Sequence, residues 1–130
     1  MAPLGTVLDA LKAISEPTRL RIVALLDHGE LTVTDLTEIL GQSQPRVSRH
    51  LKVLVDAGVV TKHREGTWAF FRLVDGGPVG YLARGAIDPL DDHDPVLAAD
   101  LARLATVRRR RADAAHEYFE QIAPIWDEER

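Results

Sequence analysis

Residues 41–58, GQSQPRVSRHLKVLVDAG, predict a short turn followed by an amphipathic helix. Gly41 ends a preceding helix, and Ser43 can cap the next one because its side-chain oxygen accepts a hydrogen bond from a free N–H group of the first turn. Gly58 then stops the helix. Apolar residues recur at helical spacing on one face, and polar or basic residues occupy the others. The apolar face comprises Val47, Leu51 and Leu54.

After this helix the sequence changes to an alternation with a period of two. Val59–Arg64 and Thr67–Leu73 are rich in β-branched and aromatic residues, which favour strands. Glu65-Gly66 between them predicts the tip of a two-stranded hairpin. Two helices joined by a three-residue turn and followed by a hairpin predict a winged helix-turn-helix.

Three helices are predicted at or before the turn. Leu4–Ile14 carries apolar residues at steps of three and four. Arg19–Asp27 is densely apolar, and Ser15 is its predicted cap. Val33–Leu40 follows a capping box that begins at Thr32.

The sequence after the hairpin contains less distinctive elements. A short apolar segment, Val79–Ile87, is followed by an acidic loop, Asp88–Pro95, and by a helix from Val96 to about Tyr118. We therefore expect a mainly α protein with a small β-hairpin. Its winged helix-turn-helix core covers residues 1–75, and further helices and an acidic tail of the same domain cover residues 76–130.

The composition excludes several classes of protein. The chain has 130 residues, of which 45% are apolar and 28% charged, as in ordinary globular proteins. Its longest uncharged apolar stretches have about five residues, whereas a membrane span needs roughly 20. We find no signal-peptide pattern, no cysteine and no residue set typical of a catalytic pocket. We therefore expect a cytoplasmic protein that is not an enzyme, with no membrane partner.

The net charge of −4 is distributed unevenly along the chain. Residues 41–72 contain six basic and two acidic residues, whereas residues 1–40 sum to −3 and residues 88–130 to −5. Because phosphate responds to the local field, the central block can bind nucleic acid despite the negative total. Arg108–Arg111 point around a full helical turn, and we expect them to pair with acidic residues of their own helix.

The helix after the turn carries side chains suited to DNA. An α-helix is about 10–12 Å wide and fits the major groove, which is ~12 Å wide. Arg46 and Arg49 can each bind O6 and N7 of guanine, and Gln44 can bind N6 and N7 of adenine. His50 either contacts a phosphate or packs half-buried against the preceding helix. The other candidates are Ser43, Ser48 and Lys52 for phosphate, and Lys62, His63 and Arg64 in the hairpin for the DNA backbone or minor groove.

Ordered motifs within residues 4–74 resemble the ArsR/SmtB family. They are SEPTRLRI at residues 15–22, ELTVTDL at residues 30–36, and SQPRVSRHLKVL at residues 43–54, followed by AGVV. The resemblance implies a homodimeric bacterial transcriptional repressor that leaves its operator when an effector binds. A two-fold dimer would read an inverted repeat in double-stranded DNA.

The resemblance also implies which segments form the dimer and hold the effector. Dimerisation would use the first and last helices, around Leu4–Leu11 and Leu97–Val107. Many relatives bind metals or arsenite through Cys-x-Cys in the third helix. Thr32 and Thr34 stand there in this chain, and hydroxyls bind soft metals too weakly. We therefore expect an effector that is bound without thiols, and no cofactor.

Other relatives bind metal through Asp-x-His together with His-x-x-His or His-x-x-Glu in the last helix. Asp91 and His93 supply the first pair, and His116 begins the second. Phe119 stands where the second pair would end, so these residues are weak candidates. A zinc or nickel sensor remains an alternative function.

A second resemblance concerns the end of the chain. Arg110–Ala112, His116–Glu120 and Trp126-Asp127 look like the joint between an ArsR-type domain and an S-adenosylmethionine-dependent methyltransferase. The chain itself has no glycine-rich loop after a strand to bind that cofactor. The resemblance implies two alternatives: the regulatory module of a fused methyltransferase, or an S-adenosyl compound as the effector.

Overall fold

The computed structural model describes residues 1–128, and describes side chains for residues 1–120. Residues 129 and 130 of the expected acidic tail lie outside the described residues, as do the side chains of Trp126 and Asp127. Among the described residues, no helix combines the length and apolar character that a membrane span requires. The elements are α1 (Leu4–Ile14), α2 (Pro17–Leu26), β1 (Leu31–Thr32), α3 (Val33–Leu40), α4 (Gln44–Asp56), β2 (Val60–Glu65), β3 (Trp68–Leu73), α5 (Gly77–Ile87) and α6 (Pro95–Glu128).

Local capping interactions start the helices before the turn. The hydroxyl of Thr32 accepts from the N–H of Asp35 at 3.2 Å, and the Asp35 carboxylate accepts from the N–H of Thr32 at 2.9 Å, which confirms the predicted capping box. The expectation that Ser15 caps α2 is wrong. The Glu16 carboxylate accepts from the N–H of Arg19 at 2.8 Å, because its longer side chain reaches the first turn. The Ser15 hydroxyl instead donates to a carbonyl of α1.

The surroundings of Glu16 favour its ionised form. Burial raises its pKa, but the backbone N–H groups of Arg19 and Thr18 and the positive charges of His50 and Arg19 together lower the pKa below its usual value. Nδ1 of His50 lies 3.7 Å from the Glu16 carboxylate. This carboxylate therefore both caps α2 and faces α4.

The sheet contains a third strand that the sequence pattern did not predict. The strand order is β1-β3-β2, and both pairings are antiparallel. With two residues, Leu31–Thr32, β1 is too short to show alternation. The tip of the hairpin is Gly66-Thr67 rather than the predicted Glu65-Gly66, because Glu65 still belongs to β2. Gly66 adopts a φ of 61°, as the first position of a primed two-residue turn requires.

The core lies among α1 to α4 and the inner face of the sheet. α4 contributes three side chains that are at most 1% exposed. Each such burial contributes about 1.5–3 kcal/mol, which fixes the face that α4 turns inward. These residues are Val47, Leu51 and Leu54, and the other large buried side chains include Ile22, Val23, Leu25, Leu31, Leu36, Ile39, Val59 and Val60.

The helices after the sheet pack on this core as well. The apolar segment predicted at residues 79–87 is α5, which packs mainly against α1. α6 packs against α2 and α3, with Leu104 and Val107 buried. These two residues of the expected dimer segment Leu97–Val107 belong to the core of their own chain, so a dimer contact by this segment would use its other, more exposed positions. Beyond Val107, each of residues 108–120 is exposed.

α6 is also longer than the sequence pattern predicted. It has 34 residues and extends past the expected end near Tyr118 to Glu128. No glycine or proline interrupts residues 96–123.

One buried carboxylate connects α6 to α2. Asp100 is 1% exposed, and its two oxygens accept from Nε and Nη2 of Arg21 at 2.9 and 2.8 Å. These bonds raise the pKa of Arg21, against the opposing effect of burial. Arg103 approaches the same carboxylate at 3.6 Å. The bidentate geometry fixes both the position and the rotation of α6.

Further arginines join α6 to α3 and to the end of α2. Arg110 binds Glu38, and Arg111 binds Asp35. Arg108 donates to the carbonyl of His28, and Arg103 donates to a carbonyl of α3 at 3.3 Å. We expected the arginines of residues 108–111 to pair within their own helix. This expectation is wrong for Arg108, Arg110 and Arg111, because α6 lies alongside α3 and its carboxylates.

We expect Asp100→Ala to lower the free energy of unfolding by about 2–4 kcal/mol, because Arg21 would keep its charge without a buried partner. Urea unfolding measures this change, at one fixed protein concentration because self-association would add to stability. Asp56→Ala is the control, since Asp56 pairs with Lys52 at the surface, and we expect a loss below about 1 kcal/mol. Equal losses in the two variants would contradict the role of Asp100.

We expect Glu16→Gln to cost about 1 kcal/mol of stability at neutral pH, because α2 loses an ionised cap. The folded pKa of Glu16 is lowered, so its contribution is present above the ordinary value of 4.5 and is lost as the pH falls through the folded value. Urea unfolding of both proteins from neutral to acidic pH checks this. The two stability curves should converge once the pH falls below the folded pKa of Glu16, and a constant difference would contradict the prediction.

Candidate DNA-recognition surface

α4 turns one face to the core and the other to solvent. Ser43 precedes the helix in an extended conformation, and its hydroxyl accepts from the N–H of Arg46 at 3.4 Å. Because Val47, Leu51 and Leu54 point inward, the positions between them point outward. Predicted DNA-binding residues exposed on or next to this helix are Ser43, Gln44, Arg46, Ser48, Arg49 and Lys52.

The basic residues of α4 differ in their partners. Nζ of Lys52 lies 3.0 Å from the carboxylate of Asp56, and both side chains are exposed. Across the described residues, no carboxylate lies within ion-pair distance of Arg46 or Arg49. Two guanidinium groups about one turn apart are thus available to an acceptor outside the chain.

His50 lies on the side of α4 that faces α2. Its Nδ1 is 3.3 Å from Nη1 of Arg19 and 3.7 Å from the carboxylate of Glu16. Arg19 is itself fixed, because its Nε donates to the carbonyl of Ala13 at 2.6 Å. The sequence left open whether His50 contacts a phosphate or packs half-buried against the preceding helix. The structure places it half-buried, but against α2 rather than α3. His50 therefore holds α4 to the domain.

The hairpin, or wing, divides its basic residues between two faces. Alternation along β2 puts Lys62 and Arg64 on one face and His63 on the other. Nζ of Lys62 lies 5.8 Å from the ring centre of Phe71, and this face opens into a groove shared with Lys52 of α4. We call it the front face. Lys62 of the front face and Lys52 of α4 therefore line the same groove, together with Asp56, the partner of Lys52.

The back face of the wing carries His63, Phe70 and Arg72. The rings of His63 and Phe70 stack with their centres 5.6 Å apart. The Glu30 carboxylate lies 3.7 Å from Nε2 of His63 and 3.7 Å from Nη2 of Arg72, and Glu65 lies 3.8 Å from His63. The sequence grouped His63 with the front-face residues and missed Glu30 and Arg72. Strand alternation alone could have grouped His63 with Arg72, whereas the position of Glu30 follows from the pairing of β1.

The three weak metal candidates do not meet within one chain. Asp91 and His93 contact each other at 3.3 Å in the exposed loop before α6. His116 pairs with Glu120 at 2.9 Å, roughly 30 Å further along the helix. Within the described residues, no group of three or more His, Cys, Asp or Glu side chains could hold a metal ion.

Comparison with known proteins gives one consistent family. The family model "Bacterial regulatory protein, arsR family" matches residues 16–62. The arsenic resistance transcriptional regulator ArsR1 of Pseudomonas putida is 36% identical over 102 residues, which cover 76% of this chain and 77% of that protein. The transcriptional repressor SdpR of Bacillus subtilis is 40% identical over 65 residues, covering 50% of this chain and 72% of SdpR.

Solved structures agree with this family. The homodimeric winged helix-turn-helix DNA-binding domain Mb0332 of Mycobacterium bovis is 31% identical, with a TM-score of 0.60 over 69% of this chain and 82% of that domain. HlyU of Vibrio cholerae is 30% identical, with a TM-score of 0.56 over 62% of this chain and 86% of that one. The match to ArsR1 covers most of both chains, and the matched fold is a winged helix-turn-helix. The chain therefore belongs to the arsR family of bacterial regulatory proteins and is a winged helix-turn-helix transcriptional regulator.

Proposed function

We propose that the chain is a homodimeric repressor that binds an inverted-repeat operator through α4 of each protomer and leaves it when an effector binds. The observation that carries this proposal is the pair Arg46 and Arg49, exposed without a carboxylate partner among the described residues. A guanidinium with no internal acceptor is suited to guanine or phosphate. The inverted repeat follows from two-fold symmetry, with half-sites about one helical turn or a multiple apart.

The exposed residues divide between reading bases and positioning the protein. Arg46 and Arg49 point outward from α4 and suit guanine, and Gln44 suits adenine. Phosphate contacts would set the register of the protein on the duplex. On α4 these would come from Ser43, Ser48 and Lys52, and on the front face of the wing from Lys62 and Arg64. His63 would contact the DNA backbone or minor groove from the back face of the wing.

The self-association in the proposal is supported by an apolar stripe on α1. Leu4, Leu8 and Leu11 are 77%, 43% and 46% exposed, and their spacing puts them on one side of the helix. Apolar residues at such a stripe are typical of a partner surface. The homodimeric state of Mb0332 supports a second copy as the partner.

The effector in the proposal is bound without thiols. The 130 residues contain no cysteine, and the Thr32 hydroxyl is occupied by the cap of α3. An S-adenosyl compound is a candidate effector, because the end of the sequence resembles the joint to an S-adenosylmethionine-dependent methyltransferase. Release of the protein from DNA by a thiol-seeking metal ion alone would contradict this part of the proposal.

We expect Arg46→Ala and Arg49→Ala each to weaken binding to a selected duplex by about 1–3 kcal/mol and to relax its sequence preference. We expect Lys62→Ala to weaken binding to all duplexes and to reduce the salt slope by about 1, because it removes a phosphate contact. Fluorescence anisotropy with duplexes selected from a random library by the wild-type protein measures both effects.

Arg109→Ala is the matched control for these variants. It removes the same charge from an exposed position on α6, where Arg109 contacts only Thr106 of its own helix among the described side chains. Its affinity should equal that of the wild type. Undiminished binding by the Arg46→Ala/Arg49→Ala double variant would remove α4 from the proposal.

We expect Leu8→Asp to convert the dimer into a monomer, because it places a charge within the apolar stripe of α1. Sedimentation equilibrium measures the mass at a fixed concentration. Val53→Asp is the control, since Val53 is 41% exposed on α4 and should leave the dimer intact. A dimeric Leu8→Asp variant, or a monomeric wild type, would contradict the proposed assembly.

A further inference from the structure

The back face of the wing contains a carboxylate oxygen with no hydrogen bond. Oε2 of Glu30 is buried and has no hydrogen-bond partner in the described structure, although the whole side chain is 37% exposed. Two side chains on different strands approach this oxygen at 3.7 Å, His63 from β2 and Arg72 from β3. A buried carboxylate oxygen is costly unless a cation or a donor compensates it. Among the described residues, the two side chains that approach this oxygen both belong to the wing.

We propose that Glu30 is a positioning residue for DNA recognition, which sets the angle of the wing by holding His63 and Arg72. Glu30 immediately precedes β1, and β1 continues directly into α3 of the helix-turn-helix. The carboxylate therefore connects the wing to the start of the helices that present α4. This inference rests on the proposed contact between the wing and DNA.

The direction of the contact explains why an acidic residue is placed in a DNA-binding domain. An exposed carboxylate on the front face would repel phosphate. Glu30 instead faces the back, where strand alternation has placed His63 and Arg72, opposite the front-face cations Lys62 and Arg64. Closer to the hairpin tip, Glu65 also lies near His63, at 3.8 Å, but its side chain is 71% exposed, so this contact is not buried. Glu30 thus supports the wing at the middle of its strands.

Two roles of Glu30 can be separated because they predict opposite changes in binding. A carboxylate that acts only by its negative charge weakens binding to every duplex, so its removal would strengthen binding to all of them. A carboxylate that positions the wing favours the selected sequence over others. Glu65→Gln is the matched control, because it removes the same charge near the same histidine without removing the buried contact.

The test measures anisotropy for the library-selected duplex and for a scrambled duplex of equal length. We expect Glu30→Gln to lower the ratio of selected to scrambled affinity by about three- to tenfold, and Glu65→Gln to leave this ratio unchanged. Arg72→Gln should lower the ratio as Glu30→Gln does, and the double variant should lose no more than the larger single loss. A Glu30→Gln ratio within twofold of the wild type, or a fully additive double variant, would overturn the inference.

Two controls keep the outcome unambiguous. Thermal unfolding of each variant shows whether the domain still folds, and if Glu30→Gln does not, Arg72→Gln alone decides the inference, because Arg72 is 58% exposed and outside the core. Lys62→Ala tests the wing contact itself. Unchanged DNA binding by Lys62→Ala refutes the contact between the wing and DNA in the proposed function. If Lys62→Ala binds DNA more weakly but Glu30→Gln keeps the wild-type ratio of selected to scrambled affinity, only the inference about Glu30 is refuted.

Discussion

Burial of Val47, Leu51 and Leu54 fixes the rotation of α4 about its own axis. A shift of one residue would turn the helix by about 100° and expose all three side chains, at a cost of about 1.5–3 kcal/mol each. Arg46 and Arg49 are therefore exposed because the core determines where they point. The chemistry of the outer face depends on the packing of the inner one.

Ion pairs elsewhere in the domain complete the charge pattern of this surface. α6 is rich in arginine, but Arg110 and Arg111 bind carboxylates of α3, and Asp100 binds Arg21. These pairs neutralise charge away from α4. The guanidinium groups of Arg46 and Arg49 have no such partners among the described residues, so their positive charges stay available to an outside acceptor although the net charge of the chain is −4.

The sequence was sufficient for features that depend on neighbouring residues. The capping box at Thr32 and the inward face of α4 involve residues within a few positions of each other, and the structure confirms both. β1 was missed because it is a strand only through its pairing with β3. The site was predicted in the same way, since the outer residues of α4 follow from helical spacing. The contacts of Glu30, by contrast, depend on chain segments far apart in sequence.

The packing of α6 argues against treating the C-terminal region as an addition to a self-sufficient DNA-binding unit. Leu104 and Val107 belong to the same core as the helix-turn-helix, and Asp100 fixes α6 against α2 through a buried bidentate contact. Protein interiors are close-packed and transmit strain rather than absorbing it. A force on α6 therefore reaches α3 through Arg110 and Arg111, and α4 through the core they share. A partner or ligand that moves α6 would therefore act on its contacts with α2 and α3, the two helices that also pack against α4.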